Sequence, residues 1–343
     1  MPQSLEKYLT LSKQEQSPPL TFRQKISIYF QSLIYGSIPF TPLEQILIDD
    51  QSFVDPIVDA NQFITIDQYK ISYIYIPAKD EKETVLVIHG VGGTFKQFDS
   101  FIVELIQLGY GVLAFDQPGS GDSLAPPNTK LTSEFLTKYS YKLIEKLNLF
   151  DKISIILGHS YGSQISINLL INYNNKNVFH NIKEIWLVTP PPFKERSKVD
   201  LLRTTLFHYN PWVFEAFRKI GRLNNINSPS LKFIIETDDE YLRFKQLKFN
   251  LKMNSKNFVN QRYHWIPLIS NDFDKFKNVV QSNQIQLYLV DGDSDKVCKN
   301  SAELIYNYLN IGKYILFEKG GHNFLVDRSI EFAKLFQKLQ GNQ

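Results

Sequence analysis

The sequence lacks most of the features that mark specialised classes of protein. It contains a single cysteine, Cys298, which excludes an internal disulfide bond and a metal cluster held by several thiolates. Its longest apolar runs have the length of a β-strand, which excludes a membrane-spanning helix. Charge of one sign does not dominate, because 38 basic and 35 acidic side chains are interspersed and leave a net charge of +3. We therefore expect no nucleic-acid partner.

The N-terminal segment lacks the signals that direct a chain out of the cytoplasm. Residues 1–16 are polar and have no apolar core of the kind found in signal peptides. Glu6 and Glu15 argue against a transit peptide, because transit peptides are poor in acidic residues. We therefore expect a soluble cytoplasmic protein, and peripheral contact with a membrane or lipid surface stays open as an alternative.

Apolar and aromatic residues, by contrast, are abundant. The chain is 43% apolar and 21% charged, as globular proteins are, and it includes 26 Phe and 18 Tyr. From residue 63 onward, short apolar runs typical of strands alternate with segments of helical periodicity. The predicted strands cover residues 63–66, 71–76, 84–88, 111–115, 153–157, 185–188, 285–290 and 314–317. This alternation predicts an α/β fold with a mostly parallel central sheet and helices on both faces.

An N-terminal extension precedes this alternation. It covers residues 1–55 and contains a predicted helix over residues 22–34. The helix carries an apolar stripe of Phe22, Ile26, Phe30 and Ile34. Such a stripe is able to touch a membrane surface, but we expect it to pack on the rest of the protein instead.

A second segment interrupts the alternation between two parts of the core. Residues 191–274 are too long for a plain loop, and they follow prolines that cannot continue a strand. This segment is rich in aromatic residues among many lysines and arginines. We expect a helical cap here, inserted over the sheet, whose aromatic side chains line an apolar pocket. The core is then formed by residues 56–190 and 275–343.

One short motif carries the main chemical signal of the sequence. A serine stands between two glycines where a predicted strand meets a predicted helix, in the sequence Gly158-His159-Ser160-Tyr161-Gly162. The glycines leave room where the backbones of strand and helix approach, so that a strained turn projects the serine hydroxyl from the edge of the sheet. We therefore interpret Ser160 as a nucleophile.

Acyl transfer by a serine also needs hydrogen-bond donors for the negative charge that develops on the substrate oxygen. The glycine-rich sequence His89-Gly90-Val91-Gly92-Gly93 directly follows a predicted strand and leaves main-chain N–H groups free. We expect the N–H groups of Val91 and Tyr161 to form this oxyanion hole. Asp116, at the end of the next strand, is expected to tie loops together rather than to take part in the chemistry.

An acid and a base follow the serine along the chain. Three carboxylates come after the strand over residues 285–290, and Asp295 is better placed than Asp291 or Asp293 to reach a histidine. The sequence Gly320-Gly321-His322 follows the last strand, where the paired glycines allow the histidine to face the serine from a close loop. We therefore expect Ser160, Asp295 and His322 to act together.

These motifs resemble those of the α/β-hydrolase superfamily in both content and order. The resemblance extends from about residue 63 to residue 336, outside the predicted cap. The matching segments are residues 89–93, 116–123, 158–162, 292–295 and 320–322. Within the superfamily, the chain is similar to intracellular eukaryotic abhydrolase-domain proteins with a mobile helical cap. The order Ser160, Asp295, His322 matches the order of nucleophile, acid and histidine in the superfamily.

The resemblance implies a serine hydrolase that cleaves a carboxylic ester. His322 would take the proton of Ser160, and Asp295 would orient the imidazole and stabilise its charged form. A serine at position 160 argues against an epoxide hydrolase or a dehalogenase, because both use an aspartate nucleophile. The aromatic cap favours a small apolar acyl ester as substrate, such as a fatty ester or a monoacylglycerol. No cofactor and no metal are expected.

Three alternatives stay open at this point. His322 and Asp327 have the His-x₄-Asp spacing of some acyltransferases, which favours transfer of the acyl group to an alcohol or a lysolipid. A non-catalytic receptor or scaffold is the second alternative, because a fold does not determine activity. A peptidase is the third, although the sequence offers no charged anchor for a peptide terminus. The oligomeric state is left open.

Overall fold

The computed structural model describes residues 4–15, 21–35, 39–80, 82–126, 128–173, 179–192, 194–222 and 224–340. Parts of the predicted N-terminal extension therefore lie outside the described residues, including residues 1–3 and 16 of the segment on which the targeting prediction rests. Across the described ranges, no helix combines the length and the apolar character that crossing a membrane requires.

Eight strands form one twisted layer at the centre of the protein. They are β1 Gln62–Ile66, β2 Tyr69–Ile76, β3 Thr84–Ile88, β4 Gly111–Phe115, β5 Ile153–His159, β6 Glu184–Val188, β7 Gln286–Gly292 and β8 Lys313–Phe317. Their order across the sheet is β1-β2-β4-β3-β5-β6-β7-β8. The pairs β1/β2 and β2/β4 are antiparallel, and all other pairs are parallel. The predicted mostly parallel sheet is therefore confirmed.

Helices flank this sheet, and they also form the N-terminal extension and the insertion between β6 and β7. They are α1 Ser4–Gln14, α2 Phe22–Tyr35, α3 Pro42–Asp49, α4 Pro56–Asp59, α5 Asp99–Gln107, α6 Ser133–Leu147, α7 Tyr161–Tyr173, α8 Lys198–Tyr209, α9 Pro211–Gly221, α10 Pro229–Lys232, α11 Glu240–Lys252, α12 Ser255–His264, α13 Ser270–Ser282, α14 Ser301–Leu309, α15 Phe324–Asp327 and α16 Ser329–Gln340. Side-chain oxygens of Thr132, Ser197, Asp239 and Asn254 accept first-turn N–H groups and so fix where α6, α8, α11 and α12 begin.

The core lies on both faces of the sheet, which explains the near-continuous apolar runs of its central strands. In β3, Leu86 packs with residues of α6 and α7 on one face, whereas Val85 packs with residues of α5 and α16 on the other. A parallel strand buried on both faces has no polar side to expose. The parallel strands β3, β5, β6 and β7 place their carboxyl ends at one edge, where the predicted motifs begin.

Among its described residues, the insertion over residues 191–274 is mostly helical. Helices α8 to α12 lie wholly within it, and α13 crosses the predicted boundary at residue 274 and packs against α7 of the core. We refer to residues 191–274 as the helical insertion.

The N-terminal extension packs mainly on the helical insertion rather than on the sheet. Tyr8, Leu43 and Phe53 share one apolar cluster with Phe244 and Leu251 of the insertion. The predicted helix is present as α2, but its apolar stripe is exposed, so the expected packing of that stripe on the protein is wrong. The periodicity identified the helix, and the tertiary contacts turned the opposite side of it, with Ser32, toward the protein.

Candidate active site

Ser160 lies at the junction of β5 and α7 in a strained turn. Its φ of 52° falls in the left-handed region that residues with a side chain rarely adopt. The turn is held because the Ser160 N–H donates to the carbonyl of Val188 at 2.8 Å and its own carbonyl accepts the N–H of Ser163 at 2.9 Å. Gly162 is required here, since a Cβ at this position would overlap the carbonyl oxygen of Ile88. The turn predicted from the motif is present.

A chain of hydrogen bonds joins the three side chains that the sequence singled out. His322 Nε2 lies 3.1 Å from Ser160 Oγ, and His322 Nδ1 lies 2.9 Å from Asp295 Oδ2. All three residues are buried. They come from three separate loops at the carboxyl ends of β5, β7 and β8, so the sheet alone brings them together.

The surroundings of Asp295 keep it negatively charged. Burial raises the pKa of its carboxyl. The hydrogen bond with His322 and the N–H groups of Cys298 and Val297 have the opposite and larger effect, so that the pKa lies below its ordinary value. Those two N–H groups donate to Asp295 Oδ1 at 3.0 and 2.6 Å. An ionised Asp295 accepts a hydrogen bond from Nδ1–H of His322, which leaves Nε2 as the acceptor for the Ser160 hydroxyl.

The two neighbouring carboxylates have other partners. Asp291 accepts the N–H groups of Ala302 and Glu303, both at 3.0 Å, at the first turn of α14. Asp293 accepts the hydroxyl of Ser294 at 2.9 Å on the surface. Among these three aspartates, the structure brings Asp295 to the histidine, as predicted.

Asp116 ties loops together, as the sequence analysis expected. Its two carboxylate oxygens accept the N–H of Phe95 at 3.0 Å and the N–H of Asp122 at 2.7 Å. Burial raises the pKa of this carboxyl to about 7, although these hydrogen bonds act in the opposite direction. The residue thereby connects the loop after β3, which approaches Ser160, to the loop after β4.

The two predicted oxyanion donors lie on either side of the strained turn. Tyr161 is the first residue of α7, so its N–H has no partner within the helix, and the positive end of the helix dipole is at the same place. Val91 lies in the turn after β3, which approaches Ser160 so closely that a Cβ on Gly90 would be 3.0 Å from Ser160 Cβ. Within the described residues, neither N–H donates a hydrogen bond. Both N–H groups are therefore available as hydrogen-bond donors.

Helix α12 of the insertion lies directly on the Gly90–Gly93 turn. Gly92 has a φ of 63°, and a Cβ there would come within 2.5 Å of Phe258 and 2.7 Å of Met253. The buried Gln261 accepts the N–H of Gly92 at 3.0 Å and donates to Ser120 Oγ at 3.1 Å. The insertion therefore takes part in fixing the turn that carries the Val91 N–H.

His159 is a site residue that the sequence analysis did not assign a role. Its Nε2–H donates to the carbonyl oxygen of His322 at 2.8 Å, and Thr189 Oγ1 lies 3.4 Å from the same oxygen. Burial lowers the pKa of His159 to about 3, so its ring is neutral. A polar side chain in a strand buried on both faces is the signal that would have pointed to it. Gln261 had no such signal, because its contacts depend on where α12 packs.

Three side chains here also have the spacing of metal ligands. Ligand atoms of Asp295, Cys298 and His322 all lie within 4.8 Å of one another. Both nitrogens of His322 and both oxygens of Asp295 are, however, already in hydrogen bonds. Burial also raises the pKa of the Cys298 thiol, which disfavours the thiolate that a metal needs. The donor set therefore suits a hydrogen-bonded chain better than a metal ion.

This fold and this site define a class of enzyme with a serine held at a strand-to-helix turn. A sequence model of the α/β-hydrolase fold matches residues 83–329, so the chain belongs to this family. The family match supports a hydrolase as the general class of enzyme.

Individual known proteins are similar to this chain over most of its core. A proline iminopeptidase of Thermoplasma volcanium is 23% identical over 287 residues, which cover 80% of this chain and 94% of the relative. An abhydrolase domain-containing protein of Schizosaccharomyces pombe is 26% identical over 230 residues, 61% of this chain and 60% of the relative. A solved esterase from Exiguobacterium antarcticum has a TM-score of 0.62 at 19% identity, covering 81% of this chain and 98% of its own, which shows the shared fold.

Proposed function

We propose that the protein is a serine hydrolase that cleaves a carboxylic ester of an apolar acyl group through an acyl-enzyme. The observation that carries this proposal is the continuous hydrogen-bonded chain from Ser160 through His322 to the ionised Asp295. Such a chain activates a hydroxyl that is otherwise a weak nucleophile. The serine is also held in a strained turn at a helix N-terminus, where negative charge is stabilised.

Each step follows from the position of one group. Ser160 Oγ attacks the acyl carbonyl carbon while its proton passes to His322 Nε2, and the substrate oxygen becomes an oxyanion held by the N–H groups of Val91 and Tyr161. The bond to the alcohol then breaks, and His322 returns the proton to the departing oxygen. Water, deprotonated by His322, attacks the acyl-enzyme, and the acid is released as Ser160 regains its proton.

The helical insertion supports the choice of an apolar substrate, and we propose that it acts as a cap. Phe258 and Met253 lie against the Gly90–Gly93 turn, and Phe258 stacks on Phe214 with ring centroids 5.2 Å apart. Trp265 is held by a hydrogen bond of 2.7 Å to Gln164 of α7, next to the serine turn. These side chains offer apolar surface above the site, which favours an uncharged acyl chain.

A panel of p-nitrophenyl esters of increasing acyl length tests this proposal. We expect hydrolysis by the wild-type protein, and a loss of kcat on the order of 10⁴- to 10⁶-fold in Ser160→Ala. A fluorophosphonate probe should label the wild type and not the variant, because labelling requires an activated serine. Ser163→Ala is the matched control, since Ser163 Oγ donates to the carbonyl of Gly158 and not to His322. Equal ester hydrolysis by wild type and Ser160→Ala would refute the proposal, and lack of labelling would favour a receptor.

A peptidase is the second candidate, because a proline iminopeptidase is similar over most of this chain. The same nucleophile is able to attack an amide, so the discriminating measurement is the leaving group. Proline p-nitroanilide and a p-nitrophenyl ester should be compared at equal concentration. A higher kcat/KM for the anilide would replace the ester proposal by a peptidase.

The acyltransferase alternative has less support from the structure. Asp327 Oδ2 accepts the N–H of Glu236 at 2.7 Å, and within the described residues it has no hydrogen bond to His322. The His-x₄-Asp spacing thus does not correspond to a paired histidine and aspartate here. Product analysis with an added alcohol separates transfer from hydrolysis, because only transfer gives a new ester.

A further inference from the structure

The outer side of α2 presents apolar side chains to solvent. At 3.6 residues per turn, five of them fall on one arc of about 120°. They are Phe22, Ile26, Phe30, Leu33 and Ile34, and Phe22 is 77% exposed. On the opposite side of the helix, Ser32 is fully buried and donates to the carbonyl of Trp212 in α9 at 2.7 Å. The helix is thus attached by its more polar side and leaves its apolar side uncovered, the reverse of an ordinary surface helix.

Helix α8 of the insertion repeats this arrangement. Leu201 is exposed on another side of the helix, and the remaining four exposed apolar residues fall on one arc of about 80°. They are Val199, Leu202, Leu206 and Tyr209, and Val199 and Leu202 are 76% and 73% exposed. Its opposite side carries the buried Thr204 and packs on α12.

Helix α9 connects the two arcs. It packs against α2 on one side and against α8 on the other, where the rings of Phe214 and Phe217 lie 5.2 and 6.2 Å from the ring of Phe207. Phe217 is itself exposed. We call the five residues of the α2 arc, the four residues of the α8 arc and Phe217 the α2–α8–α9 surface. Single exposed apolar residues are ordinary, but ten on three adjoining helices indicate a binding surface.

The charges around this surface are mostly positive. Between Glu15 and Glu44 the sequence has no acidic residue, and α2 carries Arg23 and Lys25. Helix α8 begins at Lys198 and carries Arg203. Its one acid, Asp200, is held by Arg196, Arg203 and Arg262. Within the described residues, Arg23, Lys25 and Lys198 form no ion pair.

We propose that the α2–α8–α9 surface binds an anionic lipid bilayer. Apolar side chains on amphipathic helices enter the boundary between headgroups and acyl chains, while lysine and arginine side chains contact anionic headgroups. A second copy of this chain is a poorer occupant, because a symmetric contact would bring the same cations of both copies together. The surface belongs partly to the helical insertion, so a bound bilayer would lie next to the element that we propose as a cap. The proposal itself does not depend on the chemistry of Ser160.

Co-sedimentation of the full chain with vesicles tests this binding. Phosphatidylcholine vesicles with about 30% phosphatidylserine should bind the protein at least tenfold more strongly than pure phosphatidylcholine vesicles, and high salt should weaken the difference. Phe30→Glu and Leu202→Glu should each reduce binding to the mixed vesicles by roughly tenfold or more, because each places a negative charge in the apolar arc.

Leu304→Glu is the matched control, because Leu304 is about as exposed as Phe30 but lies on α14 of the core. It should bind vesicles as the wild type does. Thermal unfolding and far-UV circular dichroism identify any variant that fails to fold. If either Phe30→Glu or Leu202→Glu fails to fold, vesicle binding by the other one tests the proposal. Absence of wild-type binding, or equal loss in Leu304→Glu, would overturn the proposal. A wild-type dimer that Phe30→Glu dissociates without vesicles would assign the surface to a second copy instead.

Discussion

The ionised Asp295 determines which nitrogen of His322 carries the proton. Its Oδ1 is occupied by the N–H groups of Val297 and Cys298, so Oδ2 alone faces the histidine. This fixed acceptor holds the proton on Nδ1 and leaves Nε2 free for Ser160. In the proposed mechanism, the reactivity of Ser160 therefore depends on Asp295, which reaches the serine only through His322.

Replacing this carboxylate by an amide should test that dependence. Asp295→Asn keeps the size of the side chain but removes its charge, and the amide stabilises the wrong tautomer of the histidine. We expect kcat for a p-nitrophenyl ester to fall by about 10⁴-fold with little change in KM. Asp293→Asn, at an exposed aspartate two residues away, should retain wild-type activity. A wild-type kcat in Asp295→Asn would contradict the role of the carboxylate.

At the scale of secondary-structure elements, the contact between α12 and the Gly90–Gly93 turn links the helical insertion to the proposed oxyanion donor Val91. Gln261 accepts the N–H of Gly92, next to the proposed oxyanion donor Val91. Two other residues of α12, Asn257 and Asn260, donate to the carbonyl oxygens of Gly119 and Thr129 in other loops. The helix is thus attached to the core at several points, and one of them adjoins the proposed oxyanion donor.

Removing the hydrogen bond between Gln261 and the Gly92 N–H should affect kcat more than KM. Gln261→Leu leaves the Gly92 N–H unpaired and allows the turn to shift, and a small misplacement of an oxyanion donor is expected to lower kcat by roughly 10- to 100-fold. Asn260→Leu is the control, because it loosens the same helix without touching this turn. If both variants lose kcat equally, the effect reflects attachment of the helix and not the position of the turn.

The strands and helices of the core could be predicted from the sequence. The packing of the N-terminal extension and of the helical insertion could be predicted much less well. The central strands were recognisable because burial on both faces leaves a continuous apolar run, as in β3, whereas most residues of β1 and β8 are not buried. Ser160, Asp295 and His322 were identifiable because each follows a strand within a glycine-rich loop. The exposed stripe of α2 and the contacts of Gln261 could not be predicted. Helical periodicity shows that a helix has an apolar and a polar face, but it does not show which element packs against each face.

At the scale of the whole molecule, a buried ionic cluster joins the N-terminal extension to the helical insertion. Glu44 of α3 accepts Lys219 Nζ at 2.5 Å and Arg222 Nε at 2.8 Å, and all three side chains are nearly inaccessible. Burial raises the pKa of the Glu44 carboxyl, but Arg222 and Lys219 together lower it to below its ordinary value. The cluster therefore contains a carboxylate that the fold keeps ionised.

Neutralising Glu44 should destabilise the protein. Glu44→Gln leaves two buried cations without a counter-charge, which is expected to lower the free energy of unfolding by about 3–5 kcal/mol in urea denaturation. Asp49→Asn, an exposed change on the same helix, should alter it far less. Because the native pKa of Glu44 is depressed, its contribution is complete above the ordinary glutamate pKa of about 4.3 and is lost as pH falls through the lower native value. The free energy of unfolding of Glu44→Gln should therefore fall less steeply at acidic pH than that of the wild type. An unchanged pH dependence would contradict the role of Glu44.

The same ionic cluster constrains the order of events during synthesis on the ribosome. The contacts from Glu44 to Lys219 and Arg222 span 175 and 178 positions of the chain. While the first helices emerge, their cationic partners have yet to be translated, and so has Phe244, against which the ring of Tyr8 packs. These helices are therefore translated well before their partners, and the residues that contact those partners stay uncovered until more than half of the chain that follows has left the exit tunnel.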